Sequence, residues 1–447
     1  MATSMANEFR HRRIESVVRK FACATLLIAV AGAAGAQQQD DTFSASVYAG
    51  YDHSENALQQ RTGGDAEIGR VGLDASLVGG RRRMEYSLEG DVSWADYSDN
   101  ARASTLEGGL DGLLNFGAAD DLLQWTVQDS IRQSLLDPAG NLTVDNSEYV
   151  NSFSTGPTIA LRIGERTGVI LSGLYSRLSY ENSPLDTNSV AGTAGISRSL
   201  PGGGSLGLYV SAAGISQVSD DLAVSGYDLH QAYLQYISGE LDRTTISLDA
   251  GYVESRRAGT TSGGALARVS VQSRLSTGAV VFFDANRTVT NAAKVRSIGA
   301  SGQPAHESPV SAVGAVKSTG IDAGWSTSGR RNTLNLTGGW RKEDYQWASQ
   351  FDREVAYFGS TLSRRVRSTL TATLSAIYNS QEFADPALPE YDYQTVSLSL
   401  DQRFGRRVIG GLSINYAHRN DKVTSQFEFV EWRYGLSISY LLTDKAR

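Results

Sequence analysis

The chain has 447 residues, of which 40% are hydrophobic and 20% charged, and its formal net charge is −7. This acidic balance argues against general nucleic-acid binding, which depends on an excess of positive charge. The single cysteine, Cys23, lies near the N-terminus, so the rest of the sequence offers no disulfide, cysteine nucleophile or cysteine-based metal site. Beyond residue 36 no run approaches about 18 consecutive apolar residues, which excludes helical membrane spans.

The N-terminal region contains the three parts of a secretory signal peptide. Basic residues are concentrated in 10–20, and the apolar run that follows, 21–31, is shorter than the roughly 20 residues that a membrane-spanning helix needs. An A-x-A cleavage site follows at 34–36. We expect residues 1–36 to be removed and 37–41 to form a short periplasmic segment. The alternative interpretation is a short membrane anchor.

From residue 42 onward, about twenty short segments alternate apolar and polar residues. In segment 264–275, Ala267, Val269 and Val271 share one parity, and polar residues occupy most of the other. Because successive side chains of a strand point to opposite faces, each such segment predicts a strand with one apolar and one polar face. The rule continues in segments 43–51, 84–94, 106–116, 206–212, 246–252, 279–285, 370–376, 408–416 and 434–440. Segments 147–163, 168–180 and 352–364 alternate less regularly.

The connections between these segments alternate between short and long. Short turns are predicted at 79–81, 117–120, 164–166, 201–204, 239–240, 276–277, 328–330, 365–367 and 405–406. Longer polar loops are predicted at 54–63, 135–147, 181–188, 255–263, 286–315, 381–390 and 419–428. Short turns on one rim and long loops on the other are typical of outer-membrane barrels, with the short turns in the periplasm. Only Pro157 falls inside a predicted strand, where it would remove a ladder hydrogen bond.

Lipid cannot satisfy unpaired backbone N–H and C=O groups, so a sheet that crosses a bilayer must close on itself. The pattern therefore predicts an all-β protein, a single transmembrane antiparallel up-and-down β-barrel of about 20 strands, or 18 if two weak segments are loops. The barrel would span residues 42–442, and 443–447 would form a periplasmic tail. We expect it in the bacterial outer membrane, in contact with outer-membrane lipid. Aromatic residues near segment ends, such as Trp94 and Trp340, suit the headgroup level, although aromatic residues also favour strands in general.

The last predicted strand resembles the C-terminal barrel-assembly signal of outer-membrane proteins. Arg433, Gly435, Ile438 and Tyr440 match a pattern of a polar residue, a glycine and two large apolar residues near the C-terminus. That pattern usually ends on Phe or Trp, whereas residues 441–447 follow here. The resemblance implies that the barrel-assembly machinery is a partner.

Residues 226–252 resemble a hairpin of β-barrel porins that are encoded beside exopolysaccharide and exosortase gene clusters. The first half begins Tyr227-Asp228 and continues through Ala232 to Tyr236, and the second half begins with Arg243 and ends on Gly251-Tyr252. The strand layout extends the likeness over most of the chain. The resemblance implies an outer-membrane barrel tied to a surface polysaccharide, with polysaccharide export components as partners and no catalytic residues.

Other motifs give no site. Residues 202–207 fit G-x-G-x-x-G, but a strand follows where a dinucleotide site needs a helix, so we predict a turn. The five histidines are dispersed without paired ligand spacing, and we expect no metal and no other cofactor. A barrel-embedded lipid hydrolase would need a Ser–His pair on neighbouring strands. His230 and His418 leave this as a remote alternative, and we expect that the protein is not an enzyme.

The polar faces carry the remaining functional candidates. A barrel of about 20 strands is too wide for side chains to fill, so its polar parity lines an aqueous interior. The candidate lumen-lining residues are Arg268, Gln272, Arg274, Asp284, Arg341 and Glu343. We expect a channel for small solutes or for a surface polysaccharide. The alternative is a structural scaffold of an exopolysaccharide or secretion system whose lumen is filled, for example by the loop 286–315.

Overall fold

The structure, a computed structural model, is almost entirely β within the residues that it describes: twenty strands and one 3₁₀ turn, Ser349–Phe351. The expected signal peptide, the segment 37–41 and the tail residues 444–447 lie outside the described residues. No helix in the described part of the chain is long and apolar enough to cross a membrane. The described residues are 42–81, 83–98, 104–118, 122–135, 140–141, 146–218, 226–239, 243–291, 314–388, 390–422 and 427–443.

The strands follow one another around a single sheet, each antiparallel to the next. Their bounds are β1 (Thr42–Ser54), β2 (Ala66–Arg81), β3 (Met84–Tyr97), β4 (Thr105–Ala118), β5 (Leu123–Leu135), β6 (Ser147–Arg162), β7 (Thr167–Tyr180), β8 (Thr187–Ser199), β9 (Ser205–Gln217), β10 (Tyr227–Ile237), β11 (Thr244–Arg257), β12 (Thr260–Arg274), β13 (Val280–Asn291), β14 (Ala315–Ser328), β15 (Asn332–Tyr345), β16 (Arg353–Arg365), β17 (Leu370–Phe383), β18 (Tyr391–Phe404), β19 (Val408–Asp421) and β20 (Phe429–Leu441).

The sheet closes between its first and last strands. Antiparallel pairing of β1 with β20 runs from Ser46 opposite Leu441 to Ser54 opposite Arg433. The prediction of a closed antiparallel barrel with 20 strands is therefore confirmed, and the count of 18 is wrong. The three segments with irregular alternation all form strands, namely β6, β7 and β16.

Pro157 is tolerated because the ladder is interrupted beside it. Pairing between β6 and β7 stops at Thr155 opposite Tyr175 and resumes at Thr158 opposite Ser172, so Pro157 has no partner in β7. A strand can hold proline where the missing N–H has no ladder hydrogen bond to make. The interruption explains why a strand with a central proline still belongs to the barrel wall.

The predicted long loop at 255–263 is wrong. A two-residue turn, Ala258-Gly259, joins β11 to β12, and both residues have positive φ, 43° and 82°. Such turns match the right-handed twist of the flanking strands, and glycine adopts a positive φ without steric cost. The polar residues of this segment belong to strand ends. Elsewhere β2 continues through the turn predicted at 79–81, and β13 continues into the predicted loop as far as Asn291.

The two faces of the wall differ in chemistry. Outward residues of β20 alternate with the inward Glu431 and Arg433, and each of these outward side chains exposes between 38% and 57% of its surface. A soluble monomer rarely exposes contiguous apolar area of this extent. The outward residues of this strand are Val430, Trp432, Tyr434, Leu436, Ile438 and Tyr440. The wall therefore presents an apolar exterior and, on the opposite parity, a polar interior.

Candidate functional site

The inner face encloses a cavity of about 710 Å³. One side of the cavity is formed by β7 to β12, and the other side by β13 to β16. Its lining is mostly small and polar, with serine, threonine and alanine between a few charged groups. Three of the six candidate lumen residues, Arg268, Asp284 and Arg341, line this one cavity.

The other three candidates lie on either side of the cavity along the barrel axis. Glu343 is completely buried one pleat nearer the rim of longer loops, which we call the long-loop end. Gln272 and Arg274 are exposed and lie nearer the opposite rim, the short-turn end, where β12 turns into β13. The sequence pattern thus selected side chains spread along the interior rather than a single compact site.

Arg268 is part of a polar strip across three neighbouring strands. Its guanidinium Nη1 lies 3.4 Å from Oδ2 of Asp249 on β11. Asp249 also accepts a hydrogen bond of 3.0 Å from the side-chain amide of Gln235 on β10. The guanidinium lies 5.9 Å from the ring centre of Tyr233, within the range of a cation–π contact. These contacts hold the arginine along the wall of the lumen.

Glu343 is held by two arginines in a buried network. Arg353 donates to Oε2 of Glu343 at 2.8 Å, the Tyr345 hydroxyl donates to the same oxygen at 2.9 Å, and Arg341 lies 3.7 Å from Oε1. Removal of one partner from a buried ion pair costs about 3–5 kcal/mol. At the adjoining connection, burial raises the pKa of Asp352, whose carboxylate accepts the backbone N–H of Tyr345 at 2.6 Å. The network stiffens the wall above the cavity.

The long-loop end is narrowed by the hairpin of β13 and β14. Pairing between β12 and β13 ends at Ala267 opposite Arg287, whereas β13 stays paired with β14 as far as Asn291 opposite Ala315. Residues 260–266 therefore have no partner in β13. The end of this hairpin, which we call the β13–β14 tip (residues 288–291 and 314–319), is separated from β12, whereas its β14 half stays paired with β15 as far as Val316 opposite Tyr345.

The β13–β14 tip folds inward over the inner face of the strands before it, β9 to β12. Val289 has the outward parity of β13, yet only 6% of it is exposed because it packs against the inward Ile215, Val253 and Leu266. The Tyr227 hydroxyl donates a 3.0 Å hydrogen bond to the carbonyl of Gly314. Val289, Val253 and Ile215 also line the cavity, so the tip closes it toward the long-loop end.

A second hairpin narrows the same mouth through polar contacts. Pairing between β4 and β5 ends at Leu110 opposite Ile131, whereas β5 and β6 stay paired as far as Leu135 opposite Ser147. We call the end of this hairpin the β5–β6 tip (residues 132–135, 140–141 and 146–150). It reaches β19, which lies beyond β1 and β20 around the barrel.

Arg419 on β19 anchors the β5–β6 tip. Its Nη1 donates to the carbonyl of Gly140 and to Oδ1 of Asn141, both at 3.0 Å. The guanidinium also pairs with Asp421 at 2.8 Å and lies 3.9 Å from the ring centre of Tyr391. The Asn141 amide in turn donates to two carbonyls of the neighbouring loops, those of Gln59 (2.6 Å) and Phe427 (3.1 Å).

The sequence contains a signal for one of these tips and none for the other. Leu266 is an apolar residue on the inward parity of β12, which is otherwise polar. Val289 is an apolar residue within the polar end of β13. Arg419 begins a predicted loop, where an arginine is ordinary. Its role depends on Asn141, which is 278 positions away in the chain.

A different part of the interior is acidic. Asp74 on β2 lies opposite Asp91 on β3, and Glu89 on β3 lies opposite Asp111 on β4. Like charges directly opposite each other in a sheet are unfavourable unless solvent or cations screen them. Among the described residues, no group of three or more His, Cys, Asp or Glu side chains has an arrangement that could hold a metal ion.

The residues of the predicted assembly signal occupy both faces of β20. Gly435 points inward, and a Cβ atom there would lie 2.3 Å from the Asp52 carboxylate and 2.5 Å from the Ser413 hydroxyl. Arg433 points inward as well and donates to Glu431 at 2.7 Å. Ile438 and Tyr440 point outward and expose 57% and 42% of their surface.

The fold and its interior define the class of this chain, a closed antiparallel β-barrel of twenty strands around a polar cavity. No protein-family model matches the chain, and no curated protein matches it. The chain is similar to the siderophore receptor PirA from Acinetobacter baumannii, with 10% identity, 91% of this chain and 81% of that chain covered, and a TM-score of 0.48.

Two further solved structures show a comparable likeness. For the FrpB iron transporter from Neisseria meningitidis, F3-3 variant, identity is 10%, coverage is 90% of this chain and 82% of that chain, and the TM-score is 0.45. For OccK2 (OpdF) from Pseudomonas aeruginosa, identity is 12%, coverage is 90% of this chain and 98% of that chain, and the TM-score is 0.36. These likenesses carry no information about what the present chain binds or transports.

Proposed function

We propose that this protein is a channel of the bacterial outer membrane whose lumen conducts small polar solutes or an extended surface polysaccharide. The observation that carries the proposal is the contrast between the two faces of one closed sheet. Its exterior exposes apolar side chains on successive strands, and its interior surrounds a polar cavity of about 710 Å³.

The exterior supports a location in lipid. A closed barrel has no free edge, so all of its wall can pair its backbone groups without water. Outward aromatic side chains, among them Trp94, Tyr252, Trp340 and Tyr378, are exposed by 37% to 53% and suit the interface between hydrocarbon and headgroups. The expected signal peptide supports export to the outer membrane, where barrels of this kind are assembled.

The interior supports passage of polar solutes. Barrels of 16–18 strands already leave an aqueous channel, and this one has twenty. Charges of both signs, such as Arg268, Asp284 and Arg341, line its cavity. That the cargo is a polysaccharide is a more specific proposal than a channel for polar solutes. It rests on the resemblance of residues 226–252 to porins of exopolysaccharide clusters.

We propose that the β13–β14 tip and the β5–β6 tip act as a gate at the long-loop end of the channel. Both tips lie inward at the long-loop end, and in this proposal a large solute passes when at least one of them moves back toward the strand before it. Lids and loops of this kind move on microsecond to millisecond timescales. The short-turn end carries no comparable inward hairpin among the described residues.

A scaffold without conductance is the second candidate, and the same two tips favour it. A barrel whose mouth is permanently closed would anchor or organise an export complex rather than pass its cargo. No catalytic step is part of either proposal. In both cases we propose that the assembly machinery recognises β20 through Arg433, Gly435, Ile438 and Tyr440, and that polysaccharide export components are partners.

Planar lipid bilayers test the channel against the scaffold. We expect the purified barrel to give discrete conductance steps, and we expect a linear polysaccharide added on one side to block them. Variants in which both tips are released, described in the Discussion, should conduct more than the wild type. An absence of steps from the wild type and from the released variants would support the scaffold.

A further inference from the structure

Two tyrosines form an aromatic pair on the inner wall. Tyr209 on β9 lies directly opposite Tyr233 on β10, and their rings are nearly parallel, at 17°, with centres 5.3 Å apart. In the register of the sheet they lie one pleat below Ser211 and Gln231, which line the cavity, on the side of the short-turn end. The pair therefore lies beside the cavity, because Asp249, opposite Gln235 and one pleat nearer the short-turn end, also lines it.

Glycines allow one ring to lie flat against the wall. A Cβ atom on Gly195 would lie 2.2 Å from the Tyr209 ring, and one on Gly207 would lie 2.6 Å from it. Any larger residue at either position would push the ring away from the wall. The two glycines thus leave room for the Tyr209 ring against the wall, beside the Tyr233 ring on which it stacks.

Hydrogen-bonding groups lie beside the aromatic pair. Gln235 lies one pleat from Tyr233 on β10, Asp249 and Arg268 continue the strip on β11 and β12, and Arg268 contacts the Tyr233 ring. The Arg268 side chain is 41% exposed, so its guanidinium retains donors that can face the lumen. Because the charges of Arg268 and Asp249 compensate each other, the strip offers donors and acceptors with little net charge.

Two more aromatic rings reach the cavity from its other side, formed by β13 to β16. Phe282 and Tyr357 both line the cavity. Phe282 also lies against a glycine, since a Cβ atom on Gly324 would lie 2.1 Å from its ring. Tyr357 donates its hydroxyl hydrogen bond to Asp322, which fixes the orientation of that ring.

We propose that Tyr209, Tyr233, Gln235, Asp249 and Arg268 form a saccharide subsite that takes an uncharged pyranose unit. Sugar rings carry C–H bonds on their faces, and these pack against the electron-rich faces of aromatic rings. Their hydroxyl groups need paired donors and acceptors at the rim, which the amide, carboxylate and guanidinium supply. The subsite rests on the proposed channel function and specifies its substrate class.

Calorimetric titration tests the subsite without any need for conduction. The probe is maltohexaose, a linear glucose oligomer, added to the full-length barrel in detergent. We expect Tyr209→Ala and Tyr233→Ala each to weaken binding on the order of 3- to 10-fold. Gly195→Ala should weaken binding as well, because it displaces the Tyr209 ring and leaves both aromatic groups in place.

The matched control is Tyr48→Ala on β1. Tyr48 also lies flat against a glycine, since a Cβ atom on Gly72 would lie 2.4 Å from its ring, but its cross-strand neighbours, Gly72 and Ser439, are not aromatic. The Tyr48→Ala variant should leave the affinity for maltohexaose unchanged. Circular dichroism of each variant verifies that the β-barrel is intact, and the conservative variant Tyr233→Phe should retain binding.

Conductance measurements separate this inference from the channel proposal. Tyrosine-dependent binding without conductance steps would support the subsite and overturn the channel. Conductance steps together with a saccharide affinity that is the same in wild type, Tyr209→Ala and Tyr233→Ala would overturn the subsite and leave the channel intact. Undetectable binding of maltohexaose to the folded wild type would also overturn the subsite.

Discussion

The two inward tips close the same mouth by different means. The β13–β14 tip is held by apolar packing, in which Val289 lies against Leu266, Val253 and Ile215 on the adjoining strands β12, β11 and β9. The β5–β6 tip packs Tyr149 against Leu110 and Ile131 on its own side, and it is joined to β19 across the mouth by Arg419, which bonds to Gly140 and Asn141 and pairs with Asp421. Both hairpins separate from the strand before them at the point where their pairing ends.

The difference shows how two anchors of similar strength respond to different conditions. Full burial of a side chain such as valine or leucine contributes roughly 1.5–3 kcal/mol, and a hydrogen bond to a charged group contributes about the same. Apolar packing is not directional, so the β13–β14 tip tolerates small shifts and weakens on cooling. The anchor at Arg419 requires fixed geometry, and the loss of either partner leaves a buried charge.

Release of both anchors at once should have the largest effect. We expect the double variant Leu266→Ala/Arg419→Ala to open the long-loop mouth fully, because each substitution frees one tip. The two sites share no anchoring residue, and effects at independent sites add within about 0.5 kcal/mol. Single-channel conductance measures the result. A double variant that conducts no more than the better single variant would show that one tip alone controls the mouth.

Arg419→Ala should have the larger single effect. It removes the donors to Gly140 and Asn141 and leaves Asp421, whose side chain has no exposed surface, without its guanidinium, at a cost of about 3–5 kcal/mol. We expect higher conductance and faster hydrogen exchange at residues 140–141.

Arg132→Ala is the matched control for this substitution, because it lies on the same hairpin. Arg132 pairs with Asp111 at 2.9 Å, but both side chains are half exposed. Such pairs contribute about 0–1 kcal/mol, so neither conductance nor exchange should change measurably. Equal effects of the two arginine variants would contradict the role assigned to Arg419.

Leu266→Ala should have a smaller effect, on the β13–β14 tip alone. Only 1% of Leu266 is exposed, and truncation of a buried leucine costs about 2–5 kcal/mol, less where the neighbours relax into the cavity. Because the mobile tip is able to settle into that space, we expect the lower part of this range and a modest rise in conductance. Leu275→Ala, at a leucine that is 42% exposed, is the control without effect.

A change of temperature should distinguish the two anchors, and this is the smallest of the expected effects. Apolar burial loses strength on cooling, whereas hydrogen bonds to a charged group do not share this dependence. Between 30 and about 5 °C, protection of amides in the β13–β14 tip should fall relative to that in the β5–β6 tip. Parallel changes in both tips would remove the distinction between an apolar and a polar anchor.

The sequence predicted the barrel because the determinants of its wall are local. Side-chain parity assigns residues such as Val269 and Arg268 to opposite faces within a single strand, and turn residues mark where strands end. The error at 255–263 has the same origin, because polarity alone did not distinguish a loop from strand ends that project beyond the apolar band.

The contacts of the β5–β6 tip were not predictable, because they join distant parts of the chain, and the β13–β14 tip left only one sign in the sequence. Arg419 and Asn141 are 278 positions apart, and nothing near either residue indicates the other. Leu266 did interrupt the polar parity of β12, which is a detectable sign of inward packing. The positions of Arg268, Asp284 and Arg341 on one cavity depended on the register of several strands, which alternation alone does not fix.

In the proposed channel, the carboxylates of β2 to β4 affect where cations collect in the lumen. At physiological ionic strength a charge is screened within about 8 Å, so Asp74, Asp91 and Glu89 enrich cations only in a thin layer along their own wall, whereas Asp111 is paired with Arg132. On the Tyr209 side, the charges of Arg268 and Asp249 compensate each other. In the proposed channel, one side of the lumen therefore favours cations, and the side of Tyr209 is open to neutral molecules.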